Sequence, residues 1–120
     1  MCGIDPQLTQ EIKLLHERVC RGLADPKRIM ILYALVKRPC YVSELAGDLN
    51  MPQPTVSRHL KVLRDCGLVK TEREGNAVYY SINDDRIIQA LDLMRGLLRD
   101  RIMRQARMMT DIDPESNTGA

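Results

Sequence analysis

The chain has no tryptophan and no phenylalanine, and aromatics make up only 3% of its 120 residues. Its core must therefore be aliphatic, built from Leu, Ile, Val and Met. A chain of this length has room for one modest core, and a small domain of this kind gains stability by burying surface against a copy of itself. Long apolar runs are also missing. Nothing approaches the ~18 apolar residues of a membrane span, and residues 1–10 lack the basic and apolar regions of a secretory leader. A soluble, cytoplasmic protein with no membrane partner is expected. The four cysteines, Cys2, Cys20, Cys40 and Cys66, include no C-x-x-C pair and no Cys/His cluster at zinc-finger spacing. No structural metal is expected, and in a reducing compartment the four should be thiols. There is no Gly-rich phosphate loop, no Ser/His/Asp set and no carboxylate pair in a pocket motif, so an enzyme is not expected. Charge of one sign is scarce too. Eighteen Lys and Arg against sixteen Asp and Glu leave a net +2, so any basic footprint must be local.

What is present is helical periodicity. Leu8, Ile12, Leu15, Val19 and Leu23 form one apolar stripe on a helix over residues 7–22, with Gly22 as its terminator. Asp25 and Pro26 are a cap and a first helical position. The unbroken apolar run 29–36 then predicts a central helix buried on all sides, ended by Arg38-Pro39. A short helix over 43–49, a turn at Asn50-Met51-Pro52 and a helix over 53–66 closed by Gly67 follow. Two short helices joined this way are a helix-turn-helix candidate. The period then changes. Residues 68–73 and 77–82 read as strands flanking Glu74-Gly75-Asn76, a hairpin. Asn83 or Asp84 caps a last helix of about 24 residues, whose stripe includes Ile87, Leu91, Met94, Leu98, Ile102 and Met109. Residues 1–110 are expected to form one domain, and 111–120 a disordered tail.

The informative segment is QPTVSRHLK, residues 53–61. On a helix, Val56, Leu60 and Leu63 share one face. Arg58 and Lys61 lie opposite, with Thr55, Ser57 and His59 flanking. A helix that reads DNA needs this division, one side packing on a scaffold while the other carries donors and acceptors into the major groove. Gln53, Thr55, Ser57, Arg58, His59, Lys61 and Arg64 are the candidate contacts on it. The hairpin adds Lys70, Arg73 and Asn76 on a protruding loop that can touch the adjacent backbone or minor groove. The alternative, a module that docks on protein, would carry apolar groups where this helix carries Arg, Ser, Thr and His.

The order GLADPKRIMILYAL and YVSELAGDLNMPQPTVSRHLKVLRDCGLVKTEREGNAVYYSI, spanning Leu23 to Ile82 and about half the chain, resembles the arsenical-repressor (ArsR/SmtB) family of winged-helix regulators. The resemblance implies a mainly α winged helix-turn-helix of four helices, a two-stranded wing and a fifth helix. It also implies a homodimer through the first and last helices, and a repressor that binds an inverted-repeat operator in double-stranded DNA. The stripes above supply the interface residues: Leu8, Ile12, Leu15 and Val19 with Leu91, Met94, Leu98 and Ile102. One departure is Pro52, which stands where family members usually carry a capping Ser.

Family members release DNA when a metal, metalloid or oxidant binds, but the usual sensor positions are altered. Tyr41 and Ser43 occupy the places of a Cys-x-Cys pair, with Cys40 one residue out of register. The last helix has no His, and Tyr33 replaces one thiol of a dithiol pair. A thiol-reactive, metal or metalloid inducer would therefore have to use other cysteines. Cys20 and Cys40 are the candidates, provided that they approach one another within or across a dimer. Cys66 reads as a small core residue, and Cys2 as part of a mobile arm. His16 reads as solvated.

Overall fold

The computed structural model describes residues 3–112, with side chains through 109. Its elements are α1 (Pro6–Leu15), a π-helical turn (His16–Cys20), α2 (Pro26–Leu35), α3 (Val42–Leu49), α4 (Gln53–Asp65), β1 (Val69–Glu74), β2 (Ala77–Ile82) and α5 (Arg86–Ile112). They fall into two compact units, the first ending at Asp85 and the second beginning at Arg86. Position 2, with Cys2, and positions 113–120 lie outside the described residues.

In the first unit the local chemistry is visible at nearly every boundary. The Asp5 carboxylate accepts from the Gln7 N–H, and Pro6 opens α1. The Asp25 carboxylate accepts from the Lys27 N–H at 2.8 Å, ahead of Pro26. Both helices of the central motif close alike. Asn50 takes a left-handed φ of 53° after α3, and Gly67 a φ of 78° after α4. In each case the following N–H reaches back five residues, Met51 to the Ala46 carbonyl and Leu68 to the Leu63 carbonyl. The core between α2, α3 and α4 is fully buried Ile31, Leu32, Leu45, Val56, Leu60 and Leu63. Each such side chain contributes about 1.5–3 kcal/mol by leaving water.

The hairpin is antiparallel, paired from Val69 with Ile82 to Glu74 with Ala77. Its turn is therefore the two residues Gly75 and Asn76. Only Gly75 has positive φ (63°), the signature of a type II′ turn. The wing also has a one-residue third strand. The Cys40 N–H and carbonyl exchange bonds of 3.0 and 2.8 Å with Tyr80.

Several expectations need correction. Gly22 does not stop the first helix through a left-handed conformation. A Cβ there would stand 2.5 Å from Leu68 Cδ1 and 3.5 Å from Cys66 Sγ, so glycine is needed for close approach. Asn83 lies three residues before Arg86, where α5 begins, and its side-chain amide donates to the Gly67 carbonyl at 2.9 Å. The central helix is not buried on all sides. Met30 is 52% exposed, and it lines a surface depression of about 650 Å³ with Tyr33, Val36 and Leu49 among others. The expected tail starts too early, since α5 continues through Ile112.

The second unit is α5 alone. Along it Ile88 and Leu91 are buried, whereas Leu93, Met94, Leu97, Leu98, Ile102 and Met103 are exposed. Leu91, expected at a dimer interface, is 5% exposed in the single chain. Met94, Leu98 and Ile102 remain open, as do Leu8, Ile12 and Leu15 of the first unit, while Val19 is half-buried.

Candidate nucleic-acid interface

The two-sidedness of α4 survives in three dimensions. Val56, Leu60 and Leu63 are wholly buried, whereas Gln53, Ser57, Arg58, Lys61 and Arg64 are exposed. Pro52 caps the helix without a side-chain bond, as expected from the missing Ser. The first backbone N–H groups of α4 therefore have no capping side chain, and the helix dipole there favours an anion. Thr55 is half-buried, and its hydroxyl lies 3.4 Å from Arg58 Nη2. That contact lends direction to the guanidinium.

Of the two expectations for His59, a DNA contact or packing at the edge of the motif, its surroundings match the second. Its side chain is only 14% exposed and turns back to the scaffold. Nδ1 lies 3.3 Å from Arg28 Nη1, and Nε2 lies 4.0 Å from Asp25 Oδ2. Burial, with Arg28, Lys27 and Arg58 nearby, holds its pKa below the usual histidine range against the opposing pull of Asp25. The spacing carried a signal for this. His59 follows Val56 by three residues and precedes Leu63 by four, which are the neighbour spacings of the buried face.

The wing separates its two cations. Side chains alternate across a strand, so Lys70, Glu72 and Glu74 share one face and Arg73 takes the other. Lys70 Nζ sits 3.8 Å from Glu72 Oε1 among acidic neighbours. Arg73 and Asn76 are exposed at the tip. The root of the wing is tied to α3 through Tyr41 and Tyr79, the latter carrying no signal in the sequence. Tyr41, just before α3, stacks on Tyr79 of β2 with ring centroids 4.1 Å apart, and their hydroxyls share a hydrogen bond. That bond, helped by burial, leaves the Tyr79 phenol pushed up to about 12. The Glu44 carboxylate accepts from the Tyr41 N–H at 3.0 Å and pairs with Arg38 at 2.8 Å. Both contacts lower its pKa.

The candidate effector thiols are not brought together within one chain. Cys20 is exposed on the π-helical turn, in a depression shared with His16, Glu17, Arg21 and Ala24. Cys40 is 2% exposed and lines a different depression, and its thiol donates to the Arg38 carbonyl. Burial pushes the Cys40 pKa up, with Arg38 opposing, which disfavours the reactive thiolate. Cys66 is buried, as expected of a core residue. No group of three or more His, Cys, Asp or Glu suited to a metal ion occurs among the described residues.

Residues 25–71 match the profile of a family described as bacterial regulatory protein, arsR family. The HTH-type transcriptional regulator CmtR of Mycobacterium tuberculosis (strain ATCC 25618 / H37Rv) is 45% identical over 74 residues, 62% of this chain and 63% of that protein. A probable mercury resistance operon repressor of Streptomyces lividans is 34% identical over 96 residues, covering 77% of each chain. The crystal structure of NolR from Sinorhizobium fredii superposes with a TM-score of 0.70 at 31% identity, over 81% of this chain and 96% of that one. The chain belongs to the arsR family. It has the family's fold, a winged helix-turn-helix in which α3 and α4 are the motif and β1–β2 the wing. The solution structure of the homodimeric winged helix-turn-helix DNA-binding domain of Mb0332 from Mycobacterium bovis has a TM-score of 0.73 at 26% identity, over 87% of this chain and 95% of that one. No helix among this chain's described residues is long and apolar enough to cross a membrane.

Proposed function

We propose that this arsR-family chain is a cytoplasmic repressor that binds double-stranded operator DNA of inverted-repeat symmetry as a homodimer. The observation that carries the reading is the division of α4, with Val56, Leu60 and Leu63 wholly buried and Ser57, Arg58, Lys61 and Arg64 exposed on the same helix. Gln53, Thr55, Ser57 and Arg58 approach base edges, while Lys61 and Arg64 meet phosphates. Arg73 and Asn76 brace the wing tip on the flanking backbone. Lys70, held among Glu72 and Glu74, contributes less. Leu8, Ile12 and Leu15 with Met94, Leu98 and Ile102 form the dimer surface, so that residues 1–110 act as one DNA-binding and dimerisation domain. Two copies present two α4 helices to successive major grooves, which is why the operator must be an inverted repeat.

Any thiol-reactive, metal or metalloid inducer would meet Cys20 first, because it is the exposed thiol of the candidate pair. Fluorescence anisotropy with the DNA upstream of its own gene tests the proposal. Binding should weaken steeply as salt rises, since each phosphate neutralised releases counterions. Binding that does not change with salt would refute it.

A further inference from the structure

Arg28 is a residue of α2 that joins three elements of the first unit. Its Nε donates to the Gly22 carbonyl at 2.9 Å and its Nη2 to the Arg21 carbonyl at 3.2 Å. Both carbonyls belong to the end of the first helix, where the last turn leaves acceptors without intrahelical partners. Its Nη1 meets Nδ1 of His59 on α4 at 3.3 Å. A guanidinium has five donors and no acceptor, so Nδ1 must be the acceptor and carries no proton. The proton of the neutral ring then sits on Nε2, which faces the Asp25 carboxylate 4.0 Å away. One tautomer of one ring is selected from both sides.

We infer that Arg28 is a positioning residue for DNA binding: by donating to neutral His59 it sets the recognition helix against the end of the first helix. The inference rests on the reading of α4 as the helix that enters the groove. It does not require Arg28 to touch DNA, because its guanidinium is already directed inward at two carbonyls and an imidazole nitrogen.

The geometry gives acid a definite sign. A second proton on His59 would occupy Nδ1 and point at Arg28 Nη1, donor against donor. The charges facing the ring are Arg28 and Lys27 from α2 and Arg58 from α4, all opposing that proton, and Asp25, which favours it. Protonation therefore breaks the strut and loosens α4. A histidine that instead met a phosphate or a base acceptor would do the opposite. Its added charge would tighten binding as pH falls, so the two placements of His59 predict slopes of opposite sign.

The experiment measures operator affinity of the full chain by fluorescence anisotropy at constant ionic strength, from about pH 7.5 to about pH 4.5, through and below the usual histidine range because His59 titrates lower than an ordinary histidine. The duplex is the DNA upstream of the chain's own gene. Wild-type affinity should fall by about tenfold over that range as the charge-assisted bond is lost. His59→Gln keeps an acceptor oxygen for Arg28 and cannot titrate there. It should bind within about twofold of wild type at neutral pH and lose the acid dependence. Arg28→Ala should weaken neutral-pH binding by about tenfold while leaving the salt slope unchanged, whereas loss of a phosphate contact would lower that slope by about one. Thermal melts at each pH establish that every variant is folded when assayed. If Arg28→Ala fails to fold, the wild-type and His59→Gln pH profiles decide. Acid that tightens wild-type binding, a His59→Gln profile identical to wild type, or wild-type affinity in folded Arg28→Ala would each overturn the inference. Wild type that binds no upstream duplex at any pH would overturn the regulator reading itself, and the inference with it.

Discussion

The helix-turn-helix and wing differ from the first and last helices in where their apolar side chains go. In α4, the residues on the apolar face have no solvent contact. In α1 and α5, stripes of the same composition stay open: Leu15 is half exposed and Leu98 is 57% exposed. The contrast separates apolar surface that the chain buries from apolar surface that it leaves open, which is where the proposed second copy would bind. An aliphatic core drawn from 120 residues without Phe or Trp can close around three helices and a hairpin. On the 27-residue α5, most of the large apolar side chains stay exposed. Contiguous open apolar surface of this kind marks an association site.

Four predictions break or sharpen that contrast. The largest effect belongs on the closed side. Leu63→Ala opens a cavity in a fully buried site and should cost about 2–5 kcal/mol, read as a lowered midpoint in urea. On the open side, Leu98→Glu removes no core contact. It should leave helicity nearly unchanged by circular dichroism while sedimentation shifts to the monomer, and operator binding should fall with it because two half-sites are no longer engaged together. A dimer that persists would place the interface elsewhere. Leu91 is not an equivalent site, since it is buried within the chain, and Glu there should behave like a core lesion.

The split between legible and hidden features follows the same line. Boundaries governed by local chemistry could be read directly: Asp25-Pro26 as a cap, Gly67 as a stop, Gly75 as a turn. Each depends on one or two residues and the backbone they permit. The buried face of α4 could be read because its period is helical. The π-helical turn at His16–Cys20 could not, since the stripe through Leu15, Val19 and Leu23 keeps spacings that an ordinary helix also has. The pairing of Cys40 with Tyr80 was equally hidden, because a strand of one residue has no period. Leu91 and Met94 carry the same signal in sequence, and only tertiary packing makes one core and the other surface. The Arg28–His59 contact is a meeting of residues 31 positions apart, which no local pattern encodes.

At the interface itself, the third prediction compares the two cations that the hairpin separates. Arg73→Ala should weaken operator binding by about fivefold to tenfold and lower the salt slope by about one, as expected for a lost phosphate contact. Lys70→Ala should do less on both measures, because Glu72 at 3.8 Å already offsets its charge. Equal effects would mean that the wing lies flat on DNA rather than touching it with the tip. Arg58→Ala on α4 should exceed both if it reads a base, since a bidentate contact is worth about 1–3 kcal/mol of discrimination.

The smallest effect tests how the wing is rooted. Tyr79 is pushed up to about 12 chiefly by the Tyr41 hydroxyl, with burial second. In the unfolded chain a tyrosine titrates near ~10. The folded state thus favours the protonated phenol. Its contribution to stability is fully present below the unfolded value and is lost as pH rises towards about 12. Tyr41→Phe keeps the ring stack but removes the hydroxyl partner. The phenolate absorbance of Tyr79 should then appear at lower pH, closer to ~10, with little change in operator binding at neutral pH. If its titration does not move, burial rather than Tyr41 sets it. The wing would then be held to the motif mainly by the backbone bonds of Cys40 with Tyr80 and by the Asn83 side chain on Gly67.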